Sequence, residues 1–169
     1  MQFNPSETQD RKADNSPDEQ QTAGDGHDRA GGGRSRRKTV LVMDDEVMVR
    51  TITRHVLETQ GYQVDTTENG TEAIERYQEA REFGAPFDVV IIDLSIPHGM
   101  GGRETIKKLL ELDPGAQAIV ASGNSSDPAL TNFQEYGFKG ALRKPFSIRE
   151  LRLAVENVLD TDGDVKEEL

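Results

Sequence analysis

The sequence predicts a doubly wound α/β fold, a five-stranded parallel sheet of (βα)5 type, and three observations carry that expectation. From Thr39 to Leu159, short apolar runs alternate with amphipathic stretches in five successive β-α units. The inner runs are continuous rather than alternating, as strands buried on both faces require. Strands separated by helices imply parallel pairing with helices on both faces of the sheet.

The elements follow in order. Val40-Leu41-Val42-Met43 is the first strand and ends at Asp44-Asp45. A helix follows with Val49, Ile52 and Val56 at i, i+3 and i+7 as its inner face, closed by Gly61 after Gln60. Tyr62, Val64 and Thr66 alternate with polar residues, the pattern of a half-exposed second strand. Asn69 caps a helix with Ala73, Ile74, Tyr77 and Ala80 facing inward. Phe87 to Ile92 is the third strand, ending at Asp93. The loop Pro97 to Gly102 then leads to a helix carrying Ile106, Leu109 and Leu110. Ala118 to Ala121 is the fourth strand, ending at Ser122. The next helix is expected from Asp127 to Tyr136, with Pro128 tolerated in its first turn. Gly140 to Arg143 is a short fifth strand before Lys144-Pro145. Ser147 and Glu150 form a capping box for a last helix whose stripe is Ile148, Leu151, Val155, Val158 and Leu159.

The remainder of the chain divides by composition. In residues 1–38 the only apolar side chains are Met1, Phe3, Ala13, Ala23 and Ala30. Such a segment cannot bury enough surface to offset its ordering entropy, so 1–38 is expected to be a disordered tail, 39–160 the folded domain and 161–169 a second tail. Acids and bases balance in 1–38, so the formal charge of −11 falls on the domain. An acidic domain is a poor candidate for binding nucleic acid through phosphate neutralisation, so no nucleic-acid partner is expected. The basic run Arg34, Arg36, Arg37 and Lys38 reads as a solvated linker. No cysteine is present, which removes disulfides and thiolate chemistry. No apolar run approaches the ~20 residues that span a bilayer, and the N-terminal residues lack the apolar core of a secretory signal, so none is expected. The expectation is a cytoplasmic protein without membrane contact.

In parallel sheets of this kind, ligands bind beyond the carboxyl ends of the strands. Asp44 and Asp45, Asp93, Ser122 and Lys144 all fall on that edge. Each alone has an ordinary explanation as a helix cap, loop entry or turn former; five together do not. Three converging carboxylates repel unless a cation lies between them. Oxygen ligands favour a hard divalent ion such as Mg2+. Such an ion, a lysine and a hydroxyl donor together suit a phosphoryl group, and a carboxylate can accept one as an aspartyl phosphate. Asp93, central on the edge, is the candidate acceptor.

These residues resemble the motifs of response-regulator receiver domains: Val42-Met43-Asp44-Asp45-Glu46, Ile91-Ile92-Asp93-Leu94-Ser95-Ile96-Pro97, Ala121-Ser122-Gly123 and Lys144-Pro145-Phe146. The match runs from about Thr39 to Leu159. The resemblance implies a flavodoxin-like receiver fold and a stoichiometric phosphoacceptor rather than an enzyme. Its phosphoryl source would be a sensor histidine kinase or a histidine phosphotransfer protein. It further implies that Asp93 is phosphorylated, that Asp45, Asp93 and the Ser95 carbonyl bind Mg2+ directly, and that Asp44 acts partly through water. Ser122 would hydrogen-bond the phosphoryl group and Lys144 would pair with it.

Two departures from the family pattern resemble receivers of hybrid histidine kinases. The loop Pro97-His98-Gly99-Met100-Gly101-Gly102 is one residue longer, and Ala141 stands where an aromatic residue is usual. Of the histidines, His98 is expected to be exposed, His55 structural, and His27 lies in the tail. The rival reading is an aspartyl-phosphate phosphatase of the haloacid-dehalogenase type. It needs an aspartate two residues after the nucleophile, where this chain has Ser95. A nucleotide-binding module needs a Gly-rich loop after strand 1, where two aspartates stand. With only 161–169 beyond the last helix, the expected role is a stand-alone receiver that signals through protein contacts to an unknown target.

Overall fold

A computed structural model describes residues 36–161. Five strands, β1 (Thr39–Met43), β2 (Gln63–Thr67), β3 (Val89–Asp93), β4 (Ala118–Ser122) and β5 (Gly140–Arg143), alternate with five helices. The helices are α1 (Val47–Thr59), α2 (Gly70–Glu82), α3 (Gly102–Leu112), α4 (Pro128–Thr131) and α5 (Ile148–Thr161). The sheet order is β2-β1-β3-β4-β5, and every pair is parallel. Strand order therefore reverses between β1 and β3, the switch point beside which such sheets form their clefts.

The continuous apolar runs are explained by the period of two along a strand. Val40, Val42, Val89, Ile91, Ile119 and Ala121 face α1 and α5, packing with Leu57, Leu151 and Val155. Leu41, Met43, Val90, Ile92, Ala118 and Val120 face the other layer, packing with Tyr77, Ile106, Leu109 and Phe138. The two edge strands are less buried, which is why β2 carries an alternating pattern.

The caps form as expected. The Asn69 side chain accepts from the Glu72 N–H at 3.1 Å. The Glu150 N–H donates to Ser147 Oγ at 3.2 Å while Glu150 Oε2 accepts from the Ser147 N–H at 2.7 Å.

Four expectations need correction. In α1 the buried residues are Thr53, Val56 and Leu57, whereas Ile52 is 55% exposed; the helix is rotated by about one residue from the predicted face. His55 lies exposed on the same helix and has no core role. The helix expected over 127–136 breaks at Asn132 into α4 and a 3-10 turn, Phe133–Tyr136. Asp127 caps α4 through the Ala129 N–H (2.9 Å), but only Ala129 is fully buried there, too little to hold a longer helix. Ile148, placed in the stripe of α5, is exposed at its first position.

Two residues ahead of Thr39 also reach the sheet. Asp88 Oδ1 takes Arg36 Nη2 at 3.0 Å and Lys38 Nζ at 3.2 Å, while its Oδ2 accepts from the Thr39 N–H at 2.7 Å. Arg36 and Lys38 thus pair with Asp88, although their side chains stay about half exposed. Arg34, most of 1–38, and the tail 162–169 lie outside the described residues.

Candidate functional site

Each site residue is delivered by a strand end. Asp44 follows β1, held by its N–H to the Thr67 carbonyl of β2 at 3.1 Å. Asp93 closes β3, and the next N–H, of Leu94, donates to the Ala121 carbonyl of β4 at 3.0 Å. Ser122 closes β4. Lys144 follows β5 and is tied back by its N–H to the Ser122 carbonyl at 2.9 Å.

Asp44, Asp45 and Asp93 each present a carboxylate oxygen within 4.8 Å of the others. Asp44 and Asp93 are only 2% exposed, so water does little to screen their repulsion. Lys144 Nζ bridges them, 2.5 Å from Asp44 Oδ2 and 2.8 Å from Asp93 Oδ2, with Glu46 Oε1 at 3.7 Å. One ammonium cannot neutralise three carboxylates, so the pocket keeps a deficit of positive charge suited to a divalent cation.

Burial pushes the Asp44 carboxyl above its ordinary range, against the opposing pull of the Lys144 hydrogen bond and the Glu46 N–H. Burial also works against the Lys144 ammonium, but its hydrogen bonds to Asp44 and Asp93 prevail and hold its pKa above the usual value. The lysine is therefore a fixed positive charge at neutral pH.

The remaining Asp44 and Asp93 oxygens are occupied locally. The Glu46 N–H donates to Asp44 Oδ1 at 2.9 Å and the Ser95 N–H to Asp93 Oδ1 at 3.0 Å. Ser122 is fully buried, and its Oγ accepts from the Asn124 N–H at 3.2 Å. All the predicted residues thus reach one edge. His98 stays exposed on the rim and is not among the clustered carboxylates.

Two functional neighbours escaped the sequence reading. Arg50, one turn into α1, donates through Nη1 to the carbonyls of Asp44 (2.6 Å) and Asp45 (3.0 Å), fixing the loop that carries both acids. Its signal was a basic residue one turn beyond the acidic pair. Gly102, at the start of α3, lies against the Asp93 backbone; a Cβ there would collide with the Asp93 carbonyl oxygen. In the 97–102 loop Gly99 takes φ +87°, a left-handed conformation that glycine adopts readily.

Fold and site together define a flavodoxin-like α/β domain with an acidic pocket at its switch point. Comparison with known proteins agrees. The family described as response regulator receiver domain matches residues 40–156. The chemotaxis protein CheY of Thermotoga maritima is 32% identical over 110 residues, 64% of this chain and 87% of that protein. The sporulation initiation phosphotransferase F of Bacillus subtilis is 29% identical, covering 71% of this chain and 92% of that protein. The sensor kinase CckA of Brucella abortus is 32% identical over 72% of this chain, which spans 12% of that longer protein.

Among solved structures, CheY4 of Vibrio cholerae superposes with a TM-score of 0.65 at 30% identity, over 73% of this chain and 99% of that one. The response regulator TrrA of Thermotoga maritima, solved in complex with Mg(2+)-BeF, gives 0.61 at 29% identity, over 72% of this chain and 99% of that one. The chain belongs to the response-regulator receiver domain family of two-component signalling. Domains of this family are in general phosphoacceptors rather than enzymes.

No helix among the described residues is long and apolar enough to cross a membrane.

Proposed function

We propose that the chain accepts a phosphoryl group on Asp93 from a phosphohistidine of a sensor histidine kinase or a histidine phosphotransfer protein. The observation that carries this reading is Lys144 Nζ seated between Asp44 and Asp93 beside the third carboxylate of Asp45. An Asp93 carboxylate oxygen attacks phosphorus, the new P–O bond forms as the P–N bond breaks, and the imidazole leaves with the electron pair.

The donor set is all oxygen and short of positive charge, so it fits Mg2+. Asp45, Asp93 and the Ser95 carbonyl would hold the ion, with Asp44 contributing through water. When bound, it supplies positive charge for the phosphoryl oxygens. Lys144 provides a second fixed charge from β5. The Ser122 hydroxyl can turn from its Asn124 contact to donate to a phosphoryl oxygen. Arg50 keeps Asp44 and Asp45 in place while this happens.

A protein partner is supported by the surface beside the acidic edge. Val47, Met48, Ile52 and Ile148 are exposed apolar side chains. Between α1 and the segment after β5 runs a groove of about 310 Å³ lined by Val49, Ile52, Lys144, Pro145 and Phe146. Scattered exposed apolar residues are ordinary, but the groove that Ile52 lines opens beside Lys144 and so lies next to the reactive edge. We take the domain as 39–160, preceded by the anchoring residues Arg36 and Lys38, working in the cytoplasm as a stand-alone receiver. Nothing at the site favours the haloacid-dehalogenase alternative, since Ser95 has no carboxyl to act as acid or base.

A small phosphodonor such as acetyl phosphate with Mg2+ is the test. It should add one phosphoryl group, labile to hydroxylamine and blocked by EDTA. Asp93→Asn should abolish the modification; its persistence in that variant would overturn the assignment.

A further inference from the structure

We infer that the groove between α1 and β2, on the opposite flank of α1 from the groove over Lys144, binds a compact tetrahedral oxyanion of the phosphate class. It is lined by Val47, Arg50, Thr51, Arg54 and Thr66 and has a volume of about 230 Å³. That is below the roughly 300–1,000 Å³ of pockets for drug-sized ligands, and it suits a single small group.

The chemistry of the lining points to an anion. Arg50 and Arg54 stand at i and i+4, so their guanidinium groups share one face of α1. This is a concentration of positive charge on a domain whose own sequence is strongly acidic. Arg54 donates through Nη2 to Thr66 Oγ1 at 2.8 Å, but its Nε is buried and has no hydrogen-bond partner among the described residues. Buried polar groups are nearly always satisfied, so this donor of a groove-lining arginine calls for an acceptor that the protein does not supply.

The acids nearby are otherwise engaged. Glu68 pairs with Arg50 at 2.6 Å and offsets its charge, and Asp65 pairs with Arg76 at 2.7 Å while accepting from the Thr66 N–H, which leaves Arg54 as the groove's uncompensated cation. The Thr66 hydroxyl accepts from Arg54 and so keeps its own proton to donate. Arg54 has no carboxylate partner among the described residues, and its planar fork with the Thr66 hydroxyl matches the directed oxygens of a phosphate better than a point charge would.

The site is separate from Asp93 and stands whether or not Asp93 is phosphorylated. Occupancy is nevertheless linked to the acidic edge, because Arg50 also holds the carbonyls of Asp44 and Asp45.

The test is an amide chemical-shift titration of the full chain without Mg2+, at constant ionic strength balanced with chloride. The probes are inorganic phosphate, glycerol phosphate and acetate. Saturable shifts at Val47, Thr51, Arg54 and Thr66 with phosphate, in the millimolar range, are expected. If glycerol phosphate saturates the same amides the natural ligand is a phosphate monoester; if only phosphate does, it is the free ion. Arg54→Gln should weaken binding at least tenfold, and Arg54→Lys should weaken it less. Shifts that do not saturate, an equal response to acetate or chloride, or unchanged binding by a folded Arg54→Gln variant would overturn the site.

Discussion

The guanidinium of Arg103, in the first turn of α3, lies 4.8 Å from the centroid of the Tyr136 ring, and its Nη2 reaches Asp127 Oδ1 at 2.6 Å. One side chain therefore grips both ends of the α4 and 3-10 segment. It does so from the residue next to Gly102, which packs on Asp93. Arg103→Ala should cost about 1 kcal/mol, since the ion pair and the cation–π contact are both partly exposed and each worth little. The larger effect should be local. Amide hydrogen exchange across 127–136 should quicken severalfold while β1 and β3 stay protected. Uniform quickening over the whole sheet would mean that Arg103 acts on global stability instead.

The Lys144 bridge leads to a second expectation. Removing the ammonium leaves Asp44 and Asp93 facing each other, both almost fully buried. Breaking a buried pair in this way typically costs about 3–5 kcal/mol. Lys144→Ala should accordingly lose stability of that order in EDTA. Millimolar Mg2+ should raise its melting temperature more than it raises that of the parent chain, because the ion then relieves a greater repulsion. Equal shifts for the two proteins would show that the ion does not share the lysine's electrostatic task.

Much of this site was readable as residue type at strand ends. Asp44, Asp93 and Ser122 each stop an apolar run, with Asp45 and Lys144 just past a strand end, and parallel topology alone sends such positions to one edge. The errors also have physical causes. Counting only aliphatic residues on α1 selected Ile52, yet Thr53 is the side chain that turns inward with Val56 and Leu57. The 127–136 stretch has too few buried side chains to fix a helical period, so its break at Asn132 left no mark in the pattern. Arg50 acts through backbone carbonyls, so its only trace in the sequence is a basic residue one turn beyond the acidic pair.

Gly102 and Gly123 make a matched pair. A Cβ on Gly102 would meet the Asp93 carbonyl, whereas a Cβ on Gly123 would meet nothing within 4 Å. Gly102→Ala should destabilise by about 1–3 kcal/mol, the usual cost of overpacking. It should also slow acceptance of phosphate, because the displaced atom belongs to the acceptor residue. Gly123→Ala should leave stability within about 0.5 kcal/mol, as for ordinary surface changes. Urea melts and initial rates with acetyl phosphate read both. A Gly102→Ala protein with full stability and rate would show that the strand end can yield.

Asp88 supplies the pH dependence. Burial alone would raise its carboxyl, but the Thr39 N–H, Lys38 and the Thr39 hydroxyl outweigh burial and hold it below the ordinary 3.8. A depressed carboxylate contributes fully above its unfolded pKa and loses that contribution as pH falls through the folded one. The stability gap between the parent and Asp88→Asn should therefore be complete at pH 6 and close in the acid range below 3.8. A truncation beginning at Arg36 should keep the gap, and one beginning at Thr39 should narrow it by removing two cationic partners. A gap that stays constant down to pH 2 would mean that Asp88 acts through neutral hydrogen bonds only.

The last expectation concerns how a change at Asp93 leaves the site. Ser122 can gain a charge-assisted hydrogen bond to a phosphoryl oxygen, worth about 1.5–3 kcal/mol. Its movement would pull on Asn124, whose N–H it now accepts, and so on the loop leading to Asp127. On β5, Ala141 lies beside Val120 and packs against the core cluster with no rotatable side chain to follow that movement. A ligand shifts an equilibrium only by its differential interaction with the two states, and Ala141 offers none. The response should instead run from Ser122 through 123–127 into the segment that Arg103 grips. Beryllofluoride with Mg2+ should therefore move the amides of 123–136 more than those of 140–142, and Arg103→Ala should reduce the shifts of 133–136 while leaving those of 123–125. The reverse ranking, with β5 responding most, would place the output path on the strand that carries Ala141.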